Sequence, residues 1–380
     1  MNGKNQPRRL RVGEGKISGY LSILLAILSL GGVICFHFPE YFTTPDFRAF
    51  YSVDILRTIL FSCLVFSFGF ALFSFLLSRK IVLGGIGVLI SILAIVLGGH
   101  SVEVKDFQQS IFSVSLDWLL LDILILTIIF IPLELFFPKR ADQTKLHLEW
   151  KTDLVYFSIS HLLVQLTAVA VQSPAELIFN DYGLDLVHSK ISNIPFFLQL
   201  MMAILVADLF QYSIHRLFHT NRFLWRFHAV HHSIRTIDWL AGSRLHIVDI
   251  LVTRAFSYIP LYVLGFSMQV FYAYVIIVAL QAVAAHANTR INFGPLKYLI
   301  VTPQYHHWHH ADDPEHYNKN FAIHLPLIDR VFGTYYLPNS KWPKTTGLGN
   351  EQFPKGFLKQ FLFPFFNDPQ TTKLKDPSER

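Results

Sequence analysis

Long apolar stretches with almost no charged residues are the feature that most constrains what this chain can fold into. A helix that crosses the hydrocarbon core of a bilayer needs about 20 predominantly apolar residues. Six stretches approach that length, and each predicts a membrane-spanning helix: Ile17–Cys35, Ile59–Leu77, Ile81–Gly99, Leu119–Phe137, Leu154–Val171 and Ile194–Ser213. Only 15% of the 380 residues are charged, against about 25% in a typical soluble domain. This composition excludes a soluble globular domain, a disordered chain and a nucleic-acid-binding module.

A seventh apolar stretch, Ile250–Ala285, is interrupted near its middle by Pro260 and Gly265. Proline and glycine favour turns and interrupt helices. The stretch therefore predicts a hairpin of two short helices, bent at Pro260–Gly265, which returns the chain to the side of the membrane from which it came. The predicted fold class is an all-α integral membrane protein with about six transmembrane helices and a short helical hairpin.

The distribution of Lys and Arg predicts the orientation of these helices, because basic residues near helix ends accumulate on the cytoplasmic side. The segments on the N-terminal side carry eleven basic residues: Lys4, Arg8, Arg9, Arg11, Lys16, Arg79, Lys80, Lys139, Arg140, Lys145 and Lys151. The opposite segments carry four: Arg48, Arg57, Lys105 and Lys190. We therefore expect a multi-pass protein with a cytoplasmic N-terminus, whose sixth helix ends in the cytoplasm near His215.

Composition also changes along the chain and predicts three regions. They are a four-helix transmembrane extension over residues 1–137, a domain with amphipathic and histidine-rich segments over 138–338, and a polar tail over 339–380. The end of the tail, Thr371–Arg380, is expected to be disordered. Cys35 and Cys63 lie inside apolar stretches without CxxC spacing, so we interpret them as packing residues rather than as a disulfide or a metal site.

Histidine is the second unusual feature, since thirteen of the 18 histidines lie between His215 and His324. They form three motifs: an HxxxH at His215 and His219, an HxxHH at His228, His231 and His232, and another HxxHH at His306, His309 and His310. Positions i, i+3 and i+4 share one face of a helix. Each motif can therefore aim two or three imidazoles at one point, and His286, just after the predicted hairpin, is a further contributor.

These nine histidines are more than a single ion accepts. A tetrahedral zinc site takes four ligands, and a catalytic zinc site usually takes three from the protein. Two ions of higher coordination number, each with an open position, would use the set economically, and imidazole suits iron, zinc, copper and nickel. Loose metal binding is typical of polar low-complexity tracts, whereas these histidines alternate with Phe, Trp, Leu and Val. We therefore expect a dinuclear metal site in a cytoplasmic helical cap.

Other polar residues are candidates to support this site. Asp208 and Tyr212 fall on the same helical stripe as the HxxxH motif, and Asp208 is a candidate acceptor for the second ring proton of a ligand; the alternative is an interfacial Asp that faces water. His307 is offset from the ligand face and is expected to contact a ligand, and His246 is either a ligand or such a neighbour. The remaining histidines fit no ligand spacing and are expected to be structural: His37, His100, His147, His161, His188, His316 and His324.

Taken together, the three motifs resemble the signature of the fatty acid hydroxylase / sterol desaturase superfamily of integral-membrane di-iron oxygenases. The resemblance covers roughly residues 145–338 and extends to flanking residues: Asp208, Tyr212, Arg216, Arg244-Leu245-His246, His286-Ala287-Asn288, Asn292-Phe293-Gly294-Pro295 and Phe332-Gly333-Thr334. One position departs from it. Some members carry another histidine four residues after the one matching His286, where this chain has Arg290, so one metal would have a ligand fewer or recruit His246 or water.

The resemblance implies two non-haem iron ions, with zinc possible in purified material, and a reaction that hydroxylates or desaturates a C–H bond of a sterol, fatty acyl or related lipid with dioxygen. The chain carries no Rossmann, Walker or haem-attachment motif and no cysteine cluster, so an external ferredoxin, cytochrome or pterin is expected to supply electrons. The expected partners are a lipid substrate and the phospholipid bilayer, with no nucleic acid. Ether-lipid or carotenoid oxidation is an alternative on the same fold, and a metal-binding membrane protein without turnover is an alternative of another class.

Overall fold

The computed structural model describes residues 13–43, 51–78, 81–104, 113–144, 146–179, 184–349 and 353–366. These residues form helices joined by turns and loops and contain no β-strand, only isolated bridges. Several residues on which the sequence predictions depend lie outside the described ranges: Lys4, Arg8, Arg9, Arg11, Arg48, Arg79, Lys80, Lys105, Lys145 and the tail segment Thr371–Arg380.

The α-helices are numbered here in chain order. They are α1 (Lys16–His37), α2 (Pro39–Phe42), α3 (Val53–Leu77), α4 (Val82–Val96), α5 (Leu116–Phe136), α6 (Trp150–Leu162), α7 (Val164–Phe179), α8 (Asp185–Ser192), α9 (Phe196–Thr220), α10 (Arg222–His232), α11 (Ile247–Val263), α12 (Met268–His286), α13 (Pro303–His309), α14 (Pro326–Val331) and α15 (Phe357–Phe366). Short 3-10 helices occur at Gly99–Ser101, Trp239–Ser243, Gly294–Tyr298 and Pro314–His316.

Among the described residues, six helices are long and apolar enough to cross a membrane: α1, α3, Val82–Ser101, α5, α9 and α12. The first four correspond to the first four predicted spans, and α9 corresponds to the predicted span Ile194–Ser213. The all-α fold and the multi-pass membrane character are therefore confirmed.

The predicted span Leu154–Val171 is wrong as a single helix. A break at Leu163 divides it between α6 and α7, which have 13 and 16 residues, and neither is long enough to cross a bilayer on its own. Polar residues contribute to the difference, because α6 begins at Trp150, before the predicted span, and buries Asp153 and Ser160 inside the protein.

The predicted hairpin is present as α11 and α12, but its details differ from the prediction. The turn between the helices is at residues 264–267, where Gly265 has a φ of +75° that favours glycine. Pro260 lies inside α11 rather than at the bend. With 19 residues, α12 is one of the six helices long enough to span a membrane, so the second arm is not short.

The chain divides into two compact units, and the first comprises Met1–Ile128 with Thr144–Leu146 and His161–Leu166. Small side chains let its helices approach closely, as is usual in membranes. The Ser67 hydroxyl of α3 lies 2.9 Å from that of Ser91 in α4 and donates to the Ser22 carbonyl of α1, also at 2.9 Å. Cys35 and Cys63 are buried and form no disulfide, which agrees with packing roles.

The second unit comprises Ile129–Gln143, His147–Ser160 and Thr167–Arg380. Its core forms where the small residues Ala203 and Ala207 of α9 admit Leu261 of α11 and Val270 and Tyr274 of α12. Because α9 packs on both hairpin helices, and because α10 follows α9 directly, the segments that carry the histidine motifs are held against one another. The predicted domain boundaries at residues 137 and 338 remain predictions.

Candidate metal centre

The end of α9 presents the HxxxH motif on one buried face. His215 and His219 are buried there together with Asp208 and Tyr212, as the helical spacing predicts. The helix ends at Thr220, and the Asn221 side chain accepts hydrogen bonds from the backbone N–H groups of Phe223 and Leu224, each at 3.0 Å. This cap starts α10 immediately, so the second motif lies next to the first.

The first HxxHH motif lies on α10, the second comprises His306 and His309 of α13 and the following residue His310, and all these histidines are buried. The Thr302 side chain accepts from the backbone N–H of Tyr305 and caps α13, and Pro303 occupies its first turn, where proline is favoured. His286 is the last residue of α12 and is also buried.

The structure brings all nine predicted ligands together in two groups. One group, here the five-histidine group, contains His215, His219, His228, His232 and His309, and the other, here the four-histidine group, contains His231, His286, His306 and His310. Within each group the candidate ligand atoms lie within 4.8 Å of one another. The adjacent residues His231 and His232 belong to different groups, because neighbouring side chains on a helix point about 100° apart.

The distances between ring nitrogens fit a metal site. The Nε2 atoms of His215 and His228 are 3.1 Å apart, and in the other group that of His286 is 3.0–3.3 Å from those of His306, His310 and His231. Bonds of about 2.0–2.1 Å to one ion place neighbouring nitrogens about 2.9–3.4 Å apart. Both groups therefore have the size required to hold an ion.

The other ring nitrogens explain why these Nε2 atoms face one another. The Nδ1 atom of His215 donates to the Phe321 carbonyl at 2.6 Å, and that of His228 donates to the Asp249 carboxylate at 2.7 Å. A neutral imidazole with its proton on Nδ1 has only a lone pair on Nε2. Two lone pairs facing each other at 3.1 Å repel unless a cation lies between them, so the arrangement suits a metal ion.

Further Nδ1 atoms are oriented in the same way. His231 donates to the Arg244 carbonyl at 3.2 Å, His286 to the Ala282 carbonyl at 2.7 Å, and His309 to the Lys319 carbonyl at 2.9 Å. Such partners fix the tautomer and the direction of a ligating ring.

Burial keeps these rings neutral. Burial, with smaller contributions from the neighbouring histidines, lowers the pKa of His231, His306 and His310 well below the usual value. Neutral imidazole is the form that binds a metal, so the centre is ready to accept ions at neutral pH.

Asp208 does not have the partner that the sequence predicts. Its carboxylate is fully buried and accepts the backbone N–H groups of Ile323, His324 and Leu325 at 2.6–3.1 Å. Asp208 therefore neither faces water nor accepts a ring proton of a ligand in these contacts. It holds the segment that supplies the Phe321 carbonyl to His215.

The other supporting candidates have distinct places. The His246 ring donates from Nε2 to the Phe361 carbonyl and accepts at Nδ1 from the backbone N–H of Val248, so it caps α11 and belongs to neither group. The His307 Nε2 donates to the His286 carbonyl at 3.2 Å, a contact with a ligand candidate as predicted. The Tyr212 hydroxyl lies 2.9 Å from that of Thr334, outside both groups.

Histidines interpreted as structural have partners of their own. His37 and His188 contact backbone carbonyls, and His161 pairs with Asp122. His147 lies in a buried ion-pair cluster.

Sequence reasoning missed Asp249 and the role of the Arg244 carbonyl. Asp249 lies in the first turn of α11, three residues after the cap residue His246, and no motif marks it. The one signal for Asp249 in the sequence is its position in the first turn of a helix that follows the first two histidine motifs.

Fold and centre together define a multi-pass membrane protein with two buried groups of histidines fit for metal. Comparison with known proteins agrees with this class: residues 200–334 match the model of the fatty acid hydroxylase family. The ornithine lipid hydroxylase of Rhizobium tropici is 34% identical over 172 residues, which are 45% of this chain and 51% of that protein. Residues 200–334 of the chain are therefore similar to the fatty acid hydroxylase family.

Two further relatives are more distant. The human alkylglycerol monooxygenase is 30% identical over 139 residues, which are 37% of this chain and 31% of that protein. The very-long-chain aldehyde decarbonylase of Oryza sativa subsp. japonica is 28% identical over 155 residues, which are 38% of this chain and 24% of that protein. The chain thus spans about half the length of the bacterial relative and less of the others. No solved structure matches it significantly.

Proposed function

We propose that this protein is a membrane-bound di-iron oxygenase that hydroxylates or desaturates a C–H bond of a lipid, with dioxygen and electrons from an external donor. The observation that carries the proposal is the pair of buried histidine groups inside the region that matches the fatty acid hydroxylase family. The names of the relatives, a lipid hydroxylase and a monooxygenase among them, support the reaction class.

The nine histidines of the two groups are the proposed ligands of two iron ions, which would supply the activation of dioxygen when bound. The protein's own contribution is positional. The Asp249 carboxylate and the carbonyls of Phe321, Lys319, Arg244 and Ala282 hold the rings in one tautomer. All nine proposed ligands are neutral imidazoles, so the Asp249 carboxylate beside His228 would offset only part of the charge of two bound ions, and the remaining positive charge would attract anions.

The proposed substrate is a lipid that reaches the centre from the bilayer. The ligands lie at the C-terminal ends of α9 and α12 and on the helices that follow them, whereas a transporter is expected to place its site near the middle of the membrane. Ether-lipid oxidation is the second candidate, and it is favoured by the similarity to alkylglycerol monooxygenase. We further propose that the N-terminus and the centre are cytoplasmic, where a ferredoxin, cytochrome or pterin can deliver electrons.

The direct test combines metal analysis with lipid analysis. Full-length protein purified from iron-supplemented cells should contain close to two metal ions per chain. Lipids of a strain lacking the gene should differ from those of the parent by one oxygen or by two hydrogens in a defined species. Restoring the wild-type gene should restore that species.

His228→Ala and His309→Ala are the matched variants, since each removes one proposed ligand. Both should lose metal and fail to restore the lipid. Full activity in either variant contradicts the assignment. A protein that holds two metals but changes no lipid would instead support the alternative of a metal-binding membrane protein without turnover.

A further inference from the structure

The two histidine groups differ in what orients them. The five-histidine group has a carboxylate partner, Asp249, on His228. The four-histidine group is contacted by residues 239–244, here the support loop, which contains the 3-10 helix Trp239–Ser243. The loop touches two members of that group, and both contacts depend on its backbone.

The first contact is the Arg244 carbonyl, which accepts from Nδ1 of His231 at 3.2 Å. The second is Gly242, which lies against α12. A Cβ atom added to Gly242 would come within 3.0 Å of both the Ala282 carbonyl oxygen and Nδ1 of His286, the two atoms that bond to each other at 2.7 Å. A shift of the support loop would therefore disturb both His231 and His286.

The Arg244 side chain fixes the end of this loop. It is 1% exposed, and its Nε atom donates to Asp153 at 2.5 Å while its terminal nitrogen donates to Glu149 at 3.1 Å. Asp153 is fully buried in α6. A buried guanidinium is stable only when it is paired and hydrogen-bonded, so these two carboxylates determine where Arg244 lies.

The start of the loop is attached to the same carboxylate. His147 lies 3.1 Å from Asp153 and 3.5 Å from Asp238, and Asp238 accepts the backbone N–H groups of Leu240 and Ala241 at 3.1 Å. Asp153 thus connects to both ends of the support loop, through Arg244 at one end and through His147 and Asp238 at the other.

A third attachment joins the loop to α12 itself. One oxygen of Glu134 accepts the backbone N–H of Trp239 at 2.9 Å and that of Asn288 at 2.8 Å. Asn288 is two residues after His286. The loop, the end of α12 and the buried carboxylates therefore form one connected support beneath the four-histidine group.

We propose that Asp153 and Arg244 are positioning residues for the ion held by the four-histidine group and not for the other ion. This inference rests on the metal-binding part of the proposed function, because it requires both groups to bind metal, and it does not depend on the reaction that follows. The ion pair holds the Arg244 backbone, the Arg244 carbonyl holds the His231 ring, and the loop holds His286 by close contact at Gly242. Loss of such an outer partner typically lowers metal affinity about 10- to 100-fold.

Asp153→Asn is the primary test, in full-length protein stripped of metal and titrated with Co²⁺, which imidazole sites accept. The affinity for one of the two ions should fall about 10- to 100-fold, while the other changes less than threefold. Glu315→Gln, which alters an exposed carboxylate, is the matched control and should bind two ions as the wild type does.

Double variants identify which ion is lost. Adding His306→Ala to Asp153→Asn removes a ligand from the group already weakened, so the remaining Co²⁺ should stay bound. Adding His309→Ala removes a ligand from the intact group, so that ion should be lost as well. Equal weakening of both ions by Asp153→Asn, or unchanged affinities for both, overturns the proposal.

Two further variants separate positioning from a general effect on folding. Gly242→Ala leaves the ion pair intact but pushes the loop from His286, and it should weaken the same single ion. Arg244→Lys retains a charge opposite Asp153 and should restore part of the affinity that Arg244→Gln loses. If Asp153→Asn fails to fold, a Gly242→Ala protein with two unaltered ions still overturns the proposal. Wild-type protein that binds two ions but oxidises no lipid would refute the proposed function and leave this inference standing.

Discussion

The Nδ1 atom of His228 lies 2.7 Å from a carboxylate oxygen of Asp249, and both side chains are buried. This is the carboxylate–histidine pair in the five-histidine group. A carboxylate makes the imidazole a stronger electron donor and fixes its orientation. The pair therefore distinguishes this group from the four-histidine group, where the described Nδ1 partners are backbone carbonyls.

Asp249→Asn should weaken the ion of the five-histidine group. The amide retains the shape of the carboxylate but not its charge, and we expect affinity for that ion to fall about 10- to 100-fold. Co²⁺ titration of metal-free protein measures the change. Affinity for the ion of the four-histidine group should remain within threefold, and a loss confined to that group would contradict the assignment of Asp249.

His307→Ala should leave both ions bound, in contrast to His306→Ala. The two residues are adjacent on α13, but only His306 belongs to a group, and His307 donates to the His286 carbonyl instead. Metal content per chain should remain near two in His307→Ala and fall to about one in His306→Ala. Loss of an ion in His307→Ala would show that the ring acts as a ligand.

Metal-free protein should become less stable as the pH falls below about 6.5. Burial lowers the pKa of His231, His306 and His310 in the folded protein, whereas in the unfolded chain these groups take up protons near pH 6.5. The unfolded state then binds more protons, and the free energy of unfolding declines with falling pH. Each group contributes up to about 1.4 kcal/mol per pH unit.

Thermal unfolding between pH 7.5 and pH 5.5 measures this dependence. His306→Gln should show a shallower decline, since one titrating group has been removed. An identical slope in the wild type and in this variant would argue against a neutral, buried His306.

Asp208→Ala should destabilise the second unit more than Asp208→Asn. Alanine leaves three backbone N–H groups without their acceptor: that of His324, which is buried, and those of Ile323 and Leu325, which are partly buried. A buried donor without a partner costs about 1–3 kcal/mol, so we expect the free energy of unfolding of the alanine variant to fall by at least about 1 kcal/mol. Asparagine retains one acceptor oxygen and should lose less; equal stability of wild type and Asp208→Ala would contradict the role described here.

The nine histidines that form the centre were predictable from the sequence, but their division into two groups was not. Helical spacing identified His228, His231 and His232 because they share one face of a helix. Which of them joins which group depends on where α12 and α13 lie, and His232 meets His309 from a helix far along the chain. Such long-range pairing is a property of the tertiary structure.

The prediction of membrane-spanning helices from the sequence has the same limit. Uniformly apolar stretches such as α3 were predictable because hydrophobicity alone makes them helical in a bilayer. The stretch that became α6 and α7 was not, because its polar residues are accommodated by partners elsewhere in the fold. Asp153, which lies in α6 directly before the predicted span, is the clearest instance, since its carboxylate pairs with Arg244, 91 positions away.

The helices α10 and α13 each supply ligands to both histidine groups. The number of residues between the histidines of each helix is therefore a stricter constraint on the centre than the identity of any one residue. A helix turns about 100° per residue, so an insertion or deletion inside either helix would rotate ligands out of both groups in a single step. A substitution can weaken the binding of one ion and spare the other, whereas a change of helical register disrupts the binding of both ions. During evolution, insertions and deletions in this region should therefore be confined to connecting segments such as residues 287–302.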